Sequence, residues 1–105
     1  TLQDIERNAG RQREILSKTV ACLADDGEIV YSTCSLEPEE NEINMNWAIE
    51  HLNLDVEQID CPGQEGMTNV FGHNLDSSVE NCRRIWPGAT QGFFVCKLKQ
   101  RKNNR

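Results

Sequence analysis

With 105 residues, the chain forms one domain at most, or a piece of one. Its hydrophobic fraction of 37% is low for an independent globular unit, and no apolar run approaches the roughly 18 residues that a membrane span needs. All Lys and Arg residues lie in 1–18 and 83–105. The net charge of −6 argues against tight binding of this chain alone to a nucleic-acid backbone, because affinity for phosphates depends on basic side chains.

The first predicted element is a helix. Its apolar residues follow one another at the spacing of a single helix face: Leu2, Ile5, Ala9, Leu16, Val20 and Leu23. Thr1 and Asp4 predict an N-cap with an imperfect capping box. Gly10 weakens the middle, so we expect either one kinked helix or two short ones before the ADDG segment (24–27) turns the chain.

A strand and a second helix come next. The segment EIVYSTC (28–34) is rich in β-branched and aromatic residues and predicts a strand. Its near-continuous apolar centre is typical of a strand covered on both faces. Pro38 suits the first turn of a helix that runs to about His51 or Leu52, and the glutamates after Pro38 would lie at the positive end of the helix dipole.

The remaining chain predicts short strands around a long loop. Residues 54–59 alternate between apolar and polar and predict a strand. Residues 60–80 are rich in Gly, Asn and Ser and predict an exposed loop. Residues 81–87, ended by Pro87 and Gly88, and residues 92–100 predict the closing strands.

This order of elements predicts an α/β fold, the second half of a doubly wound sheet. We assign residues 1–100 to this domain and residues 101–105 to a disordered basic tail. The chain has no glycine-rich strand-to-helix loop for a nucleotide-like cofactor. Since it opens on Thr1 without a signal peptide, we expect a processed chain or a part of a longer one.

The cysteines are five, at positions 22, 34, 61, 82 and 96. The number is odd and no pair has CxxC spacing, which predicts free thiols in a reducing cytoplasm rather than a disulfide framework or a zinc ribbon. Cys61, His73 and Cys82 are the candidate ligands of a metal site, but we expect no metal.

Cys34 stands at the end of the first predicted strand, where side chains of an open α/β sheet face the ligand crevice. Its thiol is either a small buried hydrophobe or a nucleophile whose thiolate the next helix N-terminus favours. The nearby glutamates oppose a thiolate, and residue types alone leave both interpretations open.

Several motifs occur in a characteristic order: Gln12-x-x-Ile15-Leu16, Gly27, IVYSTCSLEPEENE (29–42), Arg84-x-Trp86-Pro87 and GFFVCKLK (92–99). Together they resemble the Sun (Fmu) family of RNA 5-methylcytosine methyltransferases over nearly the whole chain. The resemblance implies the C-terminal half of a Rossmann-like class I methyltransferase domain, with an antiparallel last strand. It also implies that Cys34 is the catalytic nucleophile, with Thr33 and Ser35 shaping the loop around it.

The chemistry that the resemblance implies accounts for a cysteine at this position. In that family a thiolate adds to carbon 6 of cytosine, carbon 5 then attacks the methyl group of S-adenosylmethionine, and loss of the carbon 5 proton eliminates the thiolate. Cysteine suits this cycle because it is both a strong nucleophile and a competent leaving group.

The resemblance also shows what this chain lacks. The family's cofactor-binding first half is absent, as is its proline-cysteine motif, and ADDG replaces the family's lysine-proline-glycine-glycine turn. We therefore expect RNA as substrate and the missing N-terminal half, or a split partner, as the holder of S-adenosylmethionine. The isolated chain should be inactive, and the unpaired edge of strand 28–34 should favour self-association.

Other candidate residues keep two interpretations. Arg83 and Arg84 either contact RNA phosphates at the rim of the active site or pair with nearby glutamates. His51 is expected at a solvated helix end. A thiol hydrolase built on Cys34 and His73 is the alternative enzyme, and a non-catalytic module that docks on a cofactor-binding partner is the alternative outside enzymes.

Two aromatic positions have simpler predictions. Trp47 is expected in the core. Phe93 and Phe94 point to opposite faces of the last predicted strand, so at least one of them should be buried and the other could line the cleft.

Overall fold

The computed structural model describes residues 1–86 and 92–101. Within these ranges, two helices, seven strands and a 3₁₀ helix follow one another in this order: α1 (Leu2–Ala21), β1 (Glu28–Thr33), α2 (Glu42–His51), β2 (Leu54–Glu57), β3 (Gln64–Glu65), β4 (Asn69–Val70), β5 (His73–Asn74), the 3₁₀ helix (Ser77–Asn81), β6 (Arg83–Ile85) and β7 (Phe93–Gln100). None of the described helices is both long enough and apolar enough to cross a membrane.

Helix α1 is one uninterrupted helix. The Thr1 hydroxyl accepts from the Asp4 amide at 3.2 Å, and the Asp4 carboxylate accepts from the Thr1 backbone nitrogen in return, so the capping box is complete. Gly10 lies on an exposed stretch of the helix, where it neither kinks nor divides the element. The helix forms because capping and the packing of Leu16 outweigh the cost of one glycine.

Strand β7 is the centre of the main sheet. Antiparallel β1 covers it from Glu28 opposite Lys99 to Thr33 opposite Phe94. Along the other edge, β2 pairs with one end of β7 and β6 with the other end, and β3 extends the sheet beyond β6. The described part combines helices with a sheet whose last strand is antiparallel, which agrees with the predicted partial Rossmann-like domain.

The core lies on one face of this sheet. Tyr31, Phe94, Cys96 and Leu98 point to that face, where Met45 of α2 packs against them. The opposite face carries Glu28, Val30 and Ser32 of β1, all of which are exposed. The predicted burial of β1 on both faces is therefore wrong for the described residues, because α1 and α2 contact each other and cover the same side.

The exposed edge of β1 agrees with the prediction. Within the described ranges no strand pairs with the edge of β1 that faces away from β7. Val30 is 65% exposed beside it. An unpaired, apolar strand edge is a surface on which another strand can add.

Two predicted boundaries need correction. Helix α2 begins at Glu42, since Pro38–Asn41 form a turn in which the Pro38 carbonyl accepts from the amides of Asn41 and Ile43. The predicted loop 60–80 contains β3, the hairpin β4–β5 and most of the 3₁₀ helix. Such two-residue strands are too short to produce a sequence period.

The aromatic predictions fare unequally. Phe94 is fully buried and Phe93 is 40% exposed, which confirms that they face opposite sides. Trp47 is only half-buried, at the margin of the core, and Arg13 lies over its ring at 5.2 Å from the centroid. Its predicted core position is therefore only partly correct.

The C-terminal prediction falls mostly outside the described residues, since 87–91 and 102–105 are not among them. This includes the turn at Pro87 and Gly88. Arg101, the first residue assigned to the tail, belongs to the fold: its guanidinium donates to Asp55 at 3.0 Å and to the carbonyls of Ile49 and Leu54.

Candidate active site

Cys34 follows directly on the last residue of β1. Its side chain is exposed, whereas Cys82 and Cys96 are buried in the core. Thr33, the residue before it, is still paired with Phe94 across the sheet. The thiol therefore stands at the end of a well-anchored strand, open to an incoming reactant.

A buried amide holds both neighbours of Cys34. The Thr33 hydroxyl donates to Asn41 Oδ1 at 2.5 Å, and Asn41 Nδ2 donates to the Ser35 carbonyl at 2.8 Å. Asn41 is fully buried and, although it occupies the N-cap position of α2, its side chain makes no capping hydrogen bond. Asn41 therefore ties Thr33 and Ser35 together in this loop, and their predicted role around a reactive cysteine stays a prediction.

Of the glutamates after Cys34, Glu40 and Glu42 are buried, whereas Glu37 is exposed. Ser35 Oγ donates to Glu40 Oε2 at 3.1 Å and accepts from the Glu37 amide at 3.1 Å. Glu40 is buried, and its other carboxylate oxygen accepts from Gln12 of α1 at 3.4 Å. The acidic segment therefore orders the loop after the cysteine and ties it to α1.

Arg84 forms a buried ion pair with Glu42. Its Nε and Nη2 each lie 2.6 Å from a different oxygen of the Glu42 carboxylate, and Arg84 is only 8% exposed. Its Nη1 donates to the Leu36 carbonyl at 3.3 Å, and the Met67 amide donates to Glu42. Arg84 thus pairs with a glutamate, one of its two interpretations, and contact with RNA stays a prediction for this residue.

Arg83 points to the other face of β6. Its guanidinium donates to the backbone carbonyls of Cys61, Glu80 and Cys82 at 3.0 to 3.3 Å. The side chain is half-exposed and forms no ion pair among the described residues. Contact with a phosphate stays a prediction for Arg83.

The two histidines lie apart from this loop network. His51 ends α2 and is exposed, with its ring 5.4 Å from that of Trp47. His73 is exposed in the β4–β5 hairpin, and no hydrogen bond joins it to Cys34 in the part of the chain that the structure describes. Over those same residues, no group of three or more His, Cys, Asp or Glu could hold a metal ion.

Tyr31 lies beneath the loop, in a polar network between α1 and α2. Its hydroxyl is 2.6 Å from the Glu40 carbonyl and 2.8 Å from Gln12 Oε1, and it accepts from Asn44. Burial raises the pKa of Tyr31 to about 12. The phenol therefore stays protonated at neutral pH, and its hydrogen bonds join α1 to the segment that follows Cys34.

Two of these residues were not found by sequence analysis. Asn41 and Glu42 stood inside the acidic motif, where an Asn before a helix predicts an N-cap and a Glu in the first turn predicts a dipole partner. Their contacts with Thr33 and Arg84 come from elements 8 and 42 positions away in the chain. No local pattern specifies such contacts.

Comparison with known proteins identifies the family. The family described as 16S rRNA methyltransferase RsmB/F matches residues 1–99. A 28S rRNA (cytosine-C(5))-methyltransferase of Mus musculus is 31% identical over 97% of this chain. A tRNA (cytosine(72)-C(5))-methyltransferase of Pyrococcus horikoshii is 33% identical over 98% of it. The chain spans 14% and 24% of the length of these two relatives.

Solved structures agree with this result. A methyltransferase homologue from Pyrococcus horikoshii superposes with a TM-score of 0.89 and 38% identity, over 95% of this chain and 33% of that one. The structure of NSun6 from Pyrococcus horikoshii with SFG superposes with a TM-score of 0.74 and 33% identity, over 98% and 25%. The chain therefore belongs to the RsmB/F family, the Sun family that its motifs resemble, and corresponds to one part of the members' length.

Proposed function

We propose that this chain is the nucleophile-bearing part of an S-adenosylmethionine-dependent RNA cytosine-C5 methyltransferase, acting on rRNA or tRNA, and that Cys34 is the nucleophile. The observation that carries the proposal is the exposed Cys34 thiol at the end of β1, between two residues held by one buried side chain. Family membership and the relatives named for rRNA and tRNA cytosine methylation support the reaction class.

The proposed chemistry uses the thiol twice. The Cys34 thiolate forms a bond to carbon 6 of the cytosine ring, and the electron pair of the double bond between carbons 5 and 6 moves to carbon 5, which becomes nucleophilic. After carbon 5 has gained its methyl group, a base removes the proton from carbon 5. The double bond re-forms and the carbon–sulfur bond breaks, which returns the thiolate.

S-adenosylmethionine, the methyl donor, does not fit the described residues of this chain. The loop after β1 and the first residue of α2 contain buried carboxylates rather than glycines that would admit an adenosine. The groove of about 360 Å³ between α1 and β1 is lined by aliphatic and hydroxyl side chains and the amide of Gln12, and its described lining includes no carboxylate to hold a ribose. We therefore place the cofactor site outside this chain.

The same groove supports a partner. Ile15, 57% exposed, and Val30, 65% exposed, flank the free edge of β1. We propose that the cofactor-binding half of the enzyme, or a split partner carrying it, adds a strand to this edge and covers the groove. The isolated chain would then lack methyltransferase activity and would tend to associate with itself along β1.

The test combines the chain with the cofactor-binding half of a matching enzyme, which we call the assembled enzyme. RNA carrying 5-fluorocytosine and S-adenosylmethionine are added, and the mixture is examined for a protein–RNA adduct that survives denaturation. Fluorine at carbon 5 cannot leave as a proton does, so a cysteine that has added to carbon 6 stays bound. We expect an adduct whose mass spectrum maps to Cys34.

The matched control is the other exposed cysteine, Cys22, at the end of α1. Cys34→Ala should abolish the adduct and Cys22→Ala should leave it unchanged. If the two halves assemble and a known cytosine target gives no adduct, Cys34 is not the nucleophile. The chain would then be the non-catalytic module that docks on a cofactor-binding partner.

A further inference from the structure

We propose that Asn41 is a positioning residue for the reaction, holding the Cys34 thiol in place through Thr33 and Ser35. The inference rests on the proposed role of Cys34 and adds a residue to it. Because Asn41 is fully buried, it would act through the loop rather than by contact with a reactant. Its side-chain amide would set the geometry with which the sulfur meets carbon 6 of the base.

The hydrogen bonds of Asn41 bracket the cysteine. Oδ1 accepts from the Thr33 hydroxyl on one side, and Nδ2 donates to the Ser35 carbonyl on the other. One planar amide therefore fixes the distance between the residues that flank Cys34. Fixing both neighbours removes most of the backbone freedom that would otherwise move the thiol.

The side-chain amide of Asn41 does not cap the helix that it precedes. An Asn at the N-cap usually accepts a hydrogen bond from an amide in the first helical turn, and the Asn41 side chain makes no such bond. Its capacity goes to the cysteine loop instead, in a fully buried position where an unmet polar group would be costly. Helix α2 thus has no side-chain cap from Asn41, and the loop that contains Cys34 is held by two hydrogen bonds instead.

The neighbours of Asn41 in the chain are held by their own contacts. Glu42, the next residue, is locked by its buried ion pair to Arg84 of β6, and Arg84 also holds the Leu36 carbonyl. On the other side of Asn41, the Glu40 carboxylate accepts from Ser35. Both neighbours of Asn41 are therefore held in place, so its side chain keeps a fixed position from which it can hold the loop.

The experiment measures kcat and KM for RNA methylation by the assembled enzyme, with three substitutions. Asn41→Ala removes both hydrogen bonds of the amide. Thr33→Val removes the hydroxyl, with its bond to Asn41 and its longer contact with the Ser35 carbonyl at 3.5 Å, at almost no change of shape, and Thr33→Ser retains the hydroxyl. Because a misplaced reacting group costs up to about 100-fold in rate, we expect Asn41→Ala to lower kcat by about 10- to 100-fold. KM for RNA should change by less than about threefold, since binding is not the step disturbed.

Thr33→Val should lower kcat in the same direction, and Thr33→Ser should restore it to nearly the wild-type value. In the Asn41→Ala background, Thr33→Val should lower kcat by less than it does in the wild type, because the nearer partner of the hydroxyl is already gone and only the Ser35 carbonyl at 3.5 Å is left. Circular dichroism and thermal melting establish that each variant is folded. If Asn41→Ala does not fold, the pair Thr33→Val and Thr33→Ser still decides.

The outcomes separate this inference from the proposed function. Full methylation by Cys34→Ala would show that Cys34 is not the nucleophile, and the positioning role of Asn41 would fall with it. Loss of methylation in Cys34→Ala together with normal kcat in both Thr33→Val and folded Asn41→Ala would overturn the positioning role alone. A rise in KM at unchanged kcat would also overturn it.

Discussion

Arg84 and Glu42 face each other as a bidentate ion pair, with both nitrogen–oxygen distances at 2.6 Å and the Glu42 side chain entirely buried. The pair joins β6 to the start of α2, 42 positions apart in the chain. Through Leu36 it also reaches the loop that carries Cys34. Because the Glu42 carboxylate cannot reach water, it depends on Arg84 to compensate its charge.

Breaking this pair should be costly. Arg84→Met leaves the Glu42 carboxylate buried without its partner, and we expect the free energy of unfolding to fall by about 3 to 5 kcal/mol. Lys97→Met is the matched control, because it breaks a half-exposed pair with Glu28. It should cost less than about 1 kcal/mol. Urea unfolding of both variants checks this, and equal losses would contradict it.

A second substitution tests the reason for that loss. In the Arg84→Met background, Glu42→Leu removes the uncompensated charge and should recover part of the lost stability. The Met67 amide and the Leu36 carbonyl lose their partners, so recovery is incomplete. If the double variant is less stable than Arg84→Met, the loss does not come from the buried charge.

Tyr31 is the single tyrosine of the chain, so the ultraviolet absorbance of tyrosinate reads its titration directly. Burial raises its pKa to about 12 in the folded chain. In urea the same titration should return to the ordinary value of about 10. A folded-state midpoint near 10 would mean that the hydroxyl is not buried as described.

The raised pKa also predicts a pH dependence of stability. The folded pKa lies above the unfolded one, so the contribution of protonated Tyr31 is complete below about pH 10 and is lost as pH rises through about 12. A shift of this size corresponds to about 2 to 3 kcal/mol. Stability measured from about pH 9 to 12 should fall more steeply for the wild type than for Tyr31→Phe, and parallel curves would contradict the assignment.

Two glycines should respond in opposite ways to replacement by alanine. A side-chain carbon added at Gly10, within α1, would meet nothing within 4 Å, so Gly10→Ala should raise the free energy of unfolding by about 0.5 to 1 kcal/mol. At Gly66 the added carbon would collide with the Val79 carbonyl oxygen and lie 3.1 Å from Cys82 Cβ. Gly66→Ala should cost about 1 to 3 kcal/mol. Thermal or urea unfolding of each variant measures both effects.

The five thiols should fall into distinct classes. Cys22 and Cys34 are exposed and should react with iodoacetamide in the folded chain, whereas Cys82 and Cys96 are buried. A hydrogen bond with Cys82, together with burial, also raises the pKa of the Cys96 thiol and lowers its reactivity further. Peptide mass spectrometry gives the extent of alkylation at each site. All five should react in urea, and rapid labelling of Cys96 in the folded chain would contradict the described core.

The helices and the longer strands followed from local patterns. Helix α1 and strand β7 were predicted because their apolar residues repeat at the period of one face, and strand β1 because it is rich in β-branched and aromatic residues. Strand β3 and the hairpin β4–β5 were missed, because two-residue strands depend on the partner rather than on their own sequence. The start of α2 was placed too early, because Pro38 is compatible with both a turn and a first helical turn.

Cys34 could be chosen as the candidate nucleophile from the sequence because the motif IVYSTCSLEPEENE is continuous, and the same motif indicated the family that the comparisons confirmed. The tertiary structure decided how the side chains of that motif are used. Asn41 forms hydrogen bonds with Thr33 and Ser35, and Glu42 forms an ion pair with Arg84. Among the described residues, one face and one edge of β1 are uncovered. These outcomes depend on which distant groups burial brings together, since a buried polar atom takes the partner that the packed fold offers. Local sequence determines where an element forms, but only packing determines what its polar side chains contact.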